Sequence, residues 1–150
     1  MKAIFKLSIL FLTAILLVSC ENKPDPEAIY RDYLTSIKAM KSMSENDYQN
    51  FISARAKVVV EEKTSGIKKY QLDQFLTVFK SEAVIPENSQ INLDSKSQEE
   101  AVIKVVAKDY PEEGSMHQQN VRFVQEDGWK IDKIEVITSG KDFEFKSITY

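Results

Sequence analysis

The chain has 150 residues with 20 basic and 23 acidic side chains, one cysteine, one histidine and four glycines. A net charge of −3 with interspersed signs argues against a nucleic-acid partner and against a polybasic membrane patch, both of which need a basic face. The length allows one domain with a proper core and is too short for two ordinary ones.

Residues 1–19 read as a signal peptide. Lys2 and Lys6 give a positive start, and Leu7–Val18 are apolar except for Ser8 and Thr13. Twelve residues suit a secretory h-region, whereas a bilayer span takes roughly 20. The run ends in Leu17-Val18-Ser19-Cys20, without the A-x-A pattern of an ordinary cleavage site. These four residues resemble the lipobox of bacterial lipoproteins. The resemblance implies cleavage between Ser19 and Cys20, and a lipid of the palmitate type on Cys20 that binds the protein to a membrane. Two or more acyl chains hold a protein stably where one holds it marginally. Removal of residues 1–19 with their two lysines takes the net charge from −3 to −5. Glu21 follows the cysteine where an Asp would resemble an inner-membrane retention signal, so the address leans to the outer membrane, facing the periplasm. An acylated Cys20 leaves no disulfide within the monomer.

Residues 20–26, polar and punctuated by Pro24 and Pro26, form a lipidated tether ahead of a single domain at 27–150. Ile29, Tyr33, Ile37 and Met40 mark one face of a helix from Glu27 to about Lys41. Ser44, with Asp47 three residues on and Met43 and Tyr48 as a hydrophobic staple, predicts the start of a second helix. It runs through Phe51, Ile52, Arg55 and Val58 as one long segment and stops at Gly66. The three valines of "VVVEE" favour a strand by propensity, but the flanking signals keep them helical. Leu72, Phe75, Leu76 and Phe79 predict a third helix over 68–81, and Pro86 ends helical structure.

Beyond Pro86 the apolar period becomes two. Ile91 and Leu93 alternate in a short strand. Ala101, Ile103, Val105 and Ala107 share one face of a strand over 100–110, and "PEEGSM" is a loop. In "NVRFVQEDGWKIDKIEV" two strands flank Asp127-Gly128, a strong hairpin signal. A three-residue loop pairs Gln125 with Trp129, Phe123 with Ile131 and Val121 with Lys133, gathering the apolar side chains on one face. A two-residue loop would scatter them, so burial selects the first register. Asp132 then points away from the core. "FEFKSITY" makes a terminal strand with an end free to fray.

Together with the lipobox-like Cys20, the stretches "FLTVFKSEA", "EAVIKVVAKDYPEEGS" and Asp127–Asp132 resemble a group of small bacterial lipoproteins called domain of unknown function 4878. The order of helices and strands resembles the nuclear transport factor two-like fold. That resemblance implies an α+β class, with three N-terminal helices packed on a curved antiparallel sheet shaped as a cone. It carries no chemistry, since such cones host enzymes, binders and scaffolds alike.

His117 lies in the polar "SMHQQN", at a loop or strand start, and reads best as an exposed loop residue. With no second histidine and no usable thiol, a metal site would need carboxylates alone, and neither a metal nor another cofactor is expected. Tyr30, Tyr33, Phe75, Phe79, Phe123 and Trp129 can line an apolar pocket, or fill a solid core that their spacing already explains. The function expected is therefore a non-catalytic envelope domain that binds a protein partner or a small apolar ligand. The alternative is a hydrolase or isomerase with a polar site inside the cone. Oligomeric state stays open, a dimer included.

Overall fold

The change of apolar period near Pro86 divides the structure as well. In the computed structural model, which describes residues 24–150, three α-helices precede a five-stranded antiparallel sheet. Ser19, Cys20 and most of the expected tether lie outside the described residues.

Helix α1 (Pro26–Ala39) starts with proline at its first position, behind Asp25, whose carboxylate accepts from the Ala28 N–H at 2.9 Å. Both features suit a helix start, where N–H groups lack partners in the helix. Ile29, Tyr30, Tyr33, Leu34 and Ile37 are its buried stripe.

The long second helix expected from Ser44 to Gly66 is corrected. Ser44 caps nothing, and its hydroxyl pairs with that of Ser42. Asp47–Asn50 form one 3-10 turn that buries Tyr48 and is closed by Phe51, after which Ile52 and Ser53 run beside the last long strand of the sheet. The Ser53 N–H donates to the Ile131 carbonyl and the Ile131 N–H to the Phe51 carbonyl, both at 2.8 Å. Those Ile131 groups have no strand on that side, and buried backbone groups need partners. Their satisfaction outweighs helix continuity. Helix α2 (Ala54–Thr64) begins only then, capped by Ser53, whose hydroxyl accepts from the Ala56 N–H at 3.0 Å. The valines are helical, and Gly66 follows at φ +75°. Helix α3 (Lys69–Glu82) buries Leu76 and Phe79.

Strands β1 (Gln90–Lys96), β2 (Glu100–Lys108), β3 (Met116–Glu126), β4 (Gly128–Ser139) and β5 (Glu144–Ile148) follow one another in the sheet in chain order. One face of the sheet supplies Ala101, Ile103, Val105, Val121, Phe123, Ile131, Ile134 and Val136 to a single apolar cluster with the helical side chains. Gln125 pairs with Trp129 and Phe123 with Ile131, as the three-residue loop requires. The expected pairing of Val121 with Lys133 is corrected. A β-bulge intervenes, so that Arg122 faces Lys133 and Val121 faces Ile134. The extra residue is Asp132. The end of the sheet is tied down: the Thr149 N–H donates to the Ile134 carbonyl at 2.9 Å, and Tyr150 is 4% exposed.

Gly128 sits at φ +102°, and a Cβ there would meet nothing within 4 Å. Replacing it therefore costs backbone strain alone. Gly128→Val should lower stability by about 1–2 kcal/mol, read from urea midpoints. An unchanged midpoint would show that the turn does not hold this conformation.

Candidate functional site

The bulge makes the first polar cluster. Asp132 is 3% exposed although it was expected to point away from the core. It does lie off the apolar cluster, but the start of α2 covers it. Its carboxylate accepts from Ser53 Oγ at 2.7 Å, from Arg55 Nε at 2.9 Å and from an Arg122 guanidinium nitrogen. Arg55 also reaches the Asp132 carbonyl. Burial alone would raise the carboxyl's pKa; the hydrogen bonds from Arg55, Ser53 and Arg122 outweigh it and hold the group below the usual carboxylate range. A fully engaged carboxylate that stays ionised near neutral pH is a poor proton shuttle. Its work is to join helix to sheet.

The second cluster lies between the helices and the sheet. His117, expected in a loop, is an inward residue of β3 at 8% exposure. The Tyr30 hydroxyl donates to Gln119 Oε1. Gln119 Nε2 donates to the Glu82 carbonyl at 3.2 Å and lies 3.1 Å from His117 Nε2. The Glu82 carbonyl can only accept, which fixes the orientation of the Gln119 amide. His117 Nε2 must then accept, so its proton sits on Nδ1 and goes to Thr138 Oγ1 at 2.9 Å. Burial lowers the His117 pKa and keeps the ring neutral. Beside this chain the Tyr33 and Tyr150 hydroxyls pair at 2.6 Å. Burial raises both phenols well above their ordinary value. The Glu82 carboxylate accepts from Thr149 Oγ1 at 2.8 Å and Ser147 Oγ at 3.1 Å.

The six aromatic residues singled out in the sequence divide. Tyr30, Tyr33, Phe79 and Phe123 are at most 3% exposed and belong to the apolar cluster. Phe75 is half-buried and stacks on Phe79 at 6.0 Å between ring centres. These two flank a cleft of about 220 Å³ between α3 and the end of β5, with Lys63 and Glu82 at its rim. Trp129 is half-buried, with Lys96 Nζ 5.7 Å above its ring. It lines a second cleft, of about 400 Å³, with Pro24, Ile29 and Phe51. Two of the charges on that rim are engaged: Lys130 donates to the Asn50 carbonyl at 2.6 Å, and Glu126 accepts from the Ala54 N–H at 3.1 Å. The third, Asp127, is exposed at the turn, while Pro24, Ile29, Phe51 and Trp129 give the hairpin cleft its apolar surface.

Among the described residues, no three His, Cys, Asp or Glu side chains gather to hold a metal ion, and no helix is long and apolar enough to cross a membrane. Compared with family models, curated proteins and solved structures, the chain matches none.

Gln119, Glu82 and Tyr150 were not singled out in the sequence. The available signal was the alternation His117-Gln119-Val121-Phe123, which places two polar side chains on the face of two apolar ones.

Two acid-dependent losses of stability follow. The depressed Asp132 contributes stability that is present above its unfolded value of 3.8 and lost as pH falls through the lower folded value. Asp132→Asn should cost about 2–3 kcal/mol at pH 7, less than for a fully buried pair because Arg55 and Arg122 keep 48% and 43% exposed side chains. In urea melts that deficit should shrink towards pH 3. A deficit equal at both pH values would mean that charge plays no part. His117, neutral when folded, binds its proton more readily when unfolded, so its contribution is present above 6.5 and fades as pH falls below it. His117→Ala should flatten the stability profile between pH 6.5 and 5, and an unflattened profile would refute the buried neutral ring.

Proposed function

We propose that this protein is a lipid-anchored, non-catalytic domain of the bacterial cell envelope, built on a cone of the nuclear transport factor two-like kind. In this reading Cys20 carries the lipid, and the hairpin cleft receives an apolar group of a protein partner or a small apolar ligand. The observation that carries the reading is the cleft itself, where Trp129, Phe51 and Ile29 meet at an opening and two of the three neighbouring charges, Lys130 and Glu126, are already bonded to backbone. Concave apolar surface with few free polar groups suits binding of apolar groups. Pro24 borders the same cleft, four residues after Cys20, so in this reading a lipid on Cys20 would hold the site at the membrane-proximal end of the domain.

The polar groups on the helix-covered side of the sheet support binding over catalysis. Acid–base work needs a group of suitable pKa within reach of a reacting atom. His117 is tied to Gln119 and Thr138, Tyr30 to Gln119, and Tyr33 to Tyr150, while the Glu82 carboxylate is held by Ser147 and Thr149. The alternative, a hydrolase or isomerase, would have to open this network before any of these groups met a substrate.

Trp129 is the only tryptophan in the chain, so its fluorescence reports on the cleft. Titration with the apolar dye 1-anilinonaphthalene-8-sulfonate should quench Trp129 by energy transfer, and Pro24→Asp, on the exposed border of the cleft, should weaken the effect with the near-UV spectrum unchanged. Quenching that is undiminished in Pro24→Asp would remove the cleft from the proposal. Metabolic labelling with palmitate should mark the wild type and leave Cys20→Ala unmarked and uncleaved; equal labelling would remove the anchor.

A further inference from the structure

The two edges of the sheet differ. β1 is interrupted by a register shift between Leu93 and Ser95, a bulge of the kind that spoils an edge for pairing. β5 pairs with β4 in unbroken register from Ser139↔Glu144 to Glu135↔Ile148, and among the described residues no strand lies beyond it. It also carries large exposed apolar side chains, with Phe145 60%, Ile148 46% and the adjoining Phe143 43% exposed.

Alternation fixes which backbone groups are open. The Thr149 N–H points to β4, so those of Ser147 and Phe145 do too, and those of Glu144, Lys146 and Ile148 point outward. Lys63 Nζ covers the Ile148 carbonyl at 3.3 Å and the Thr149 carbonyl at 2.8 Å. Glu144 and Lys146 are left to pair. A lysine in an edge strand ordinarily repels a second strand. Here Lys146 leans on Glu135 at 2.9 Å and keeps its charge, so it repels a strand that sets a lysine opposite and admits one that sets a carboxylate there.

We propose that β5 is a self-pairing edge, on which a second copy of this chain adds its own β5 antiparallel about a two-fold axis through Phe145. In that register Phe145 faces its equivalent in a pair without mutual backbone bonds, where side chains approach most closely. Glu144 of each copy faces Lys146 of the other in a bonded pair, which uses the open N–H and carbonyl groups of both residues and matches opposite charges twice. Phe143 of each copy meets Ser147 of the other. The two-fold register centred on Lys146 would oppose two lysines and bring Glu144 against the covered Ile148. Like charges directly opposite are unfavourable, so the Phe145-centred register is selected.

Opposed residues in such a pair have Cα atoms about 4.5 Å apart, within disulfide reach. The full chain carrying Phe145→Cys, oxidised in the membranes of the expressing bacterium, should therefore run as a disulfide dimer on non-reducing gels. The wild type controls for Cys20, and Val78→Cys, on an exposed site of α3, controls for random collision. Adding Glu144→Lys or Lys146→Glu to Phe145→Cys should each reduce the dimer by roughly an order of magnitude. Co-expressing those two chains with different tags should restore it as a heterodimer, which a misfolded variant cannot do. Dimer no greater than with Val78→Cys, no loss on charge reversal, or failure of the mixed pair would each overturn the proposal. A disulfide to a protein of different mass would also overturn it, by assigning the edge to another partner.

Discussion

The carboxylate of Asp132 is the point on which the two layers meet. It accepts at once from Ser53 and Arg55 at the start of α2 and from Arg122 on the neighbouring strand. Because Asp132 is the extra residue of a bulge, Ile131 before it and Ile134 and Val136 beyond it can all reach the apolar cluster. Without the bulge, strict alternation would set residues of opposite parity on opposite faces. The bulge and the break in the helical segment are two sides of one arrangement. Phe51–Ser53 can lie along β4 only if the helix starts afterwards, and Ser53 both caps that helix and donates to Asp132. A hydroxyl used as acceptor and donor in this way couples helix start, bulge and strand extension.

A similar economy holds among the buried polar groups. Tyr30, Gln119, His117 and Thr138 form a chain in which each orientation follows from the last, beginning at a backbone carbonyl that can only accept. A buried network whose members are satisfied favours one arrangement over alternatives, since any other leaves a donor or acceptor without a partner at a cost of about 1–3 kcal/mol. With the helix-covered face occupied in this way, the described clefts lie at the margins, at the hairpin and beside α3.

Much of the fold was legible because periodicity reports burial directly. The stripes of α1 and α3, the alternation of β2 and the loop of the β3–β4 hairpin all follow from apolar spacing. Burial continues to select the register until a polar residue intervenes. Asp132 shows where that reading stops. A bulge is stabilised by three donors from residues 10 to 79 positions away, and nothing in the local pattern announces them. The helix expected from Ser44 failed for a related reason. Its signals were sound locally, but the open backbone of Ile131 offered Phe51–Ser53 a better partner. His117 was read as exposed because its neighbours in sequence are polar, yet in a strand only every second neighbour shares its face. The six aromatic residues were legible as buried or half-buried, but spacing along single elements does not tell which of two distant clefts, or neither, a ring will line.

The contact between Tyr33 and Tyr150 spans 117 positions. Around it gather the edge-to-face ring of Phe79 and the carboxylate of Glu82, held by Thr149, so helices made early are completed by residues made late. A chain emerging in order can form its helices and the first hairpins as soon as they are synthesised. The rings of Tyr33 and Phe79 lack their last partner until Tyr150 arrives, and such long-range closure is slow because a large loop must be ordered before any contact rewards it. During that interval the nascent chain exposes tyrosine and phenylalanine surface, the state in which helper proteins and proteases compete for it.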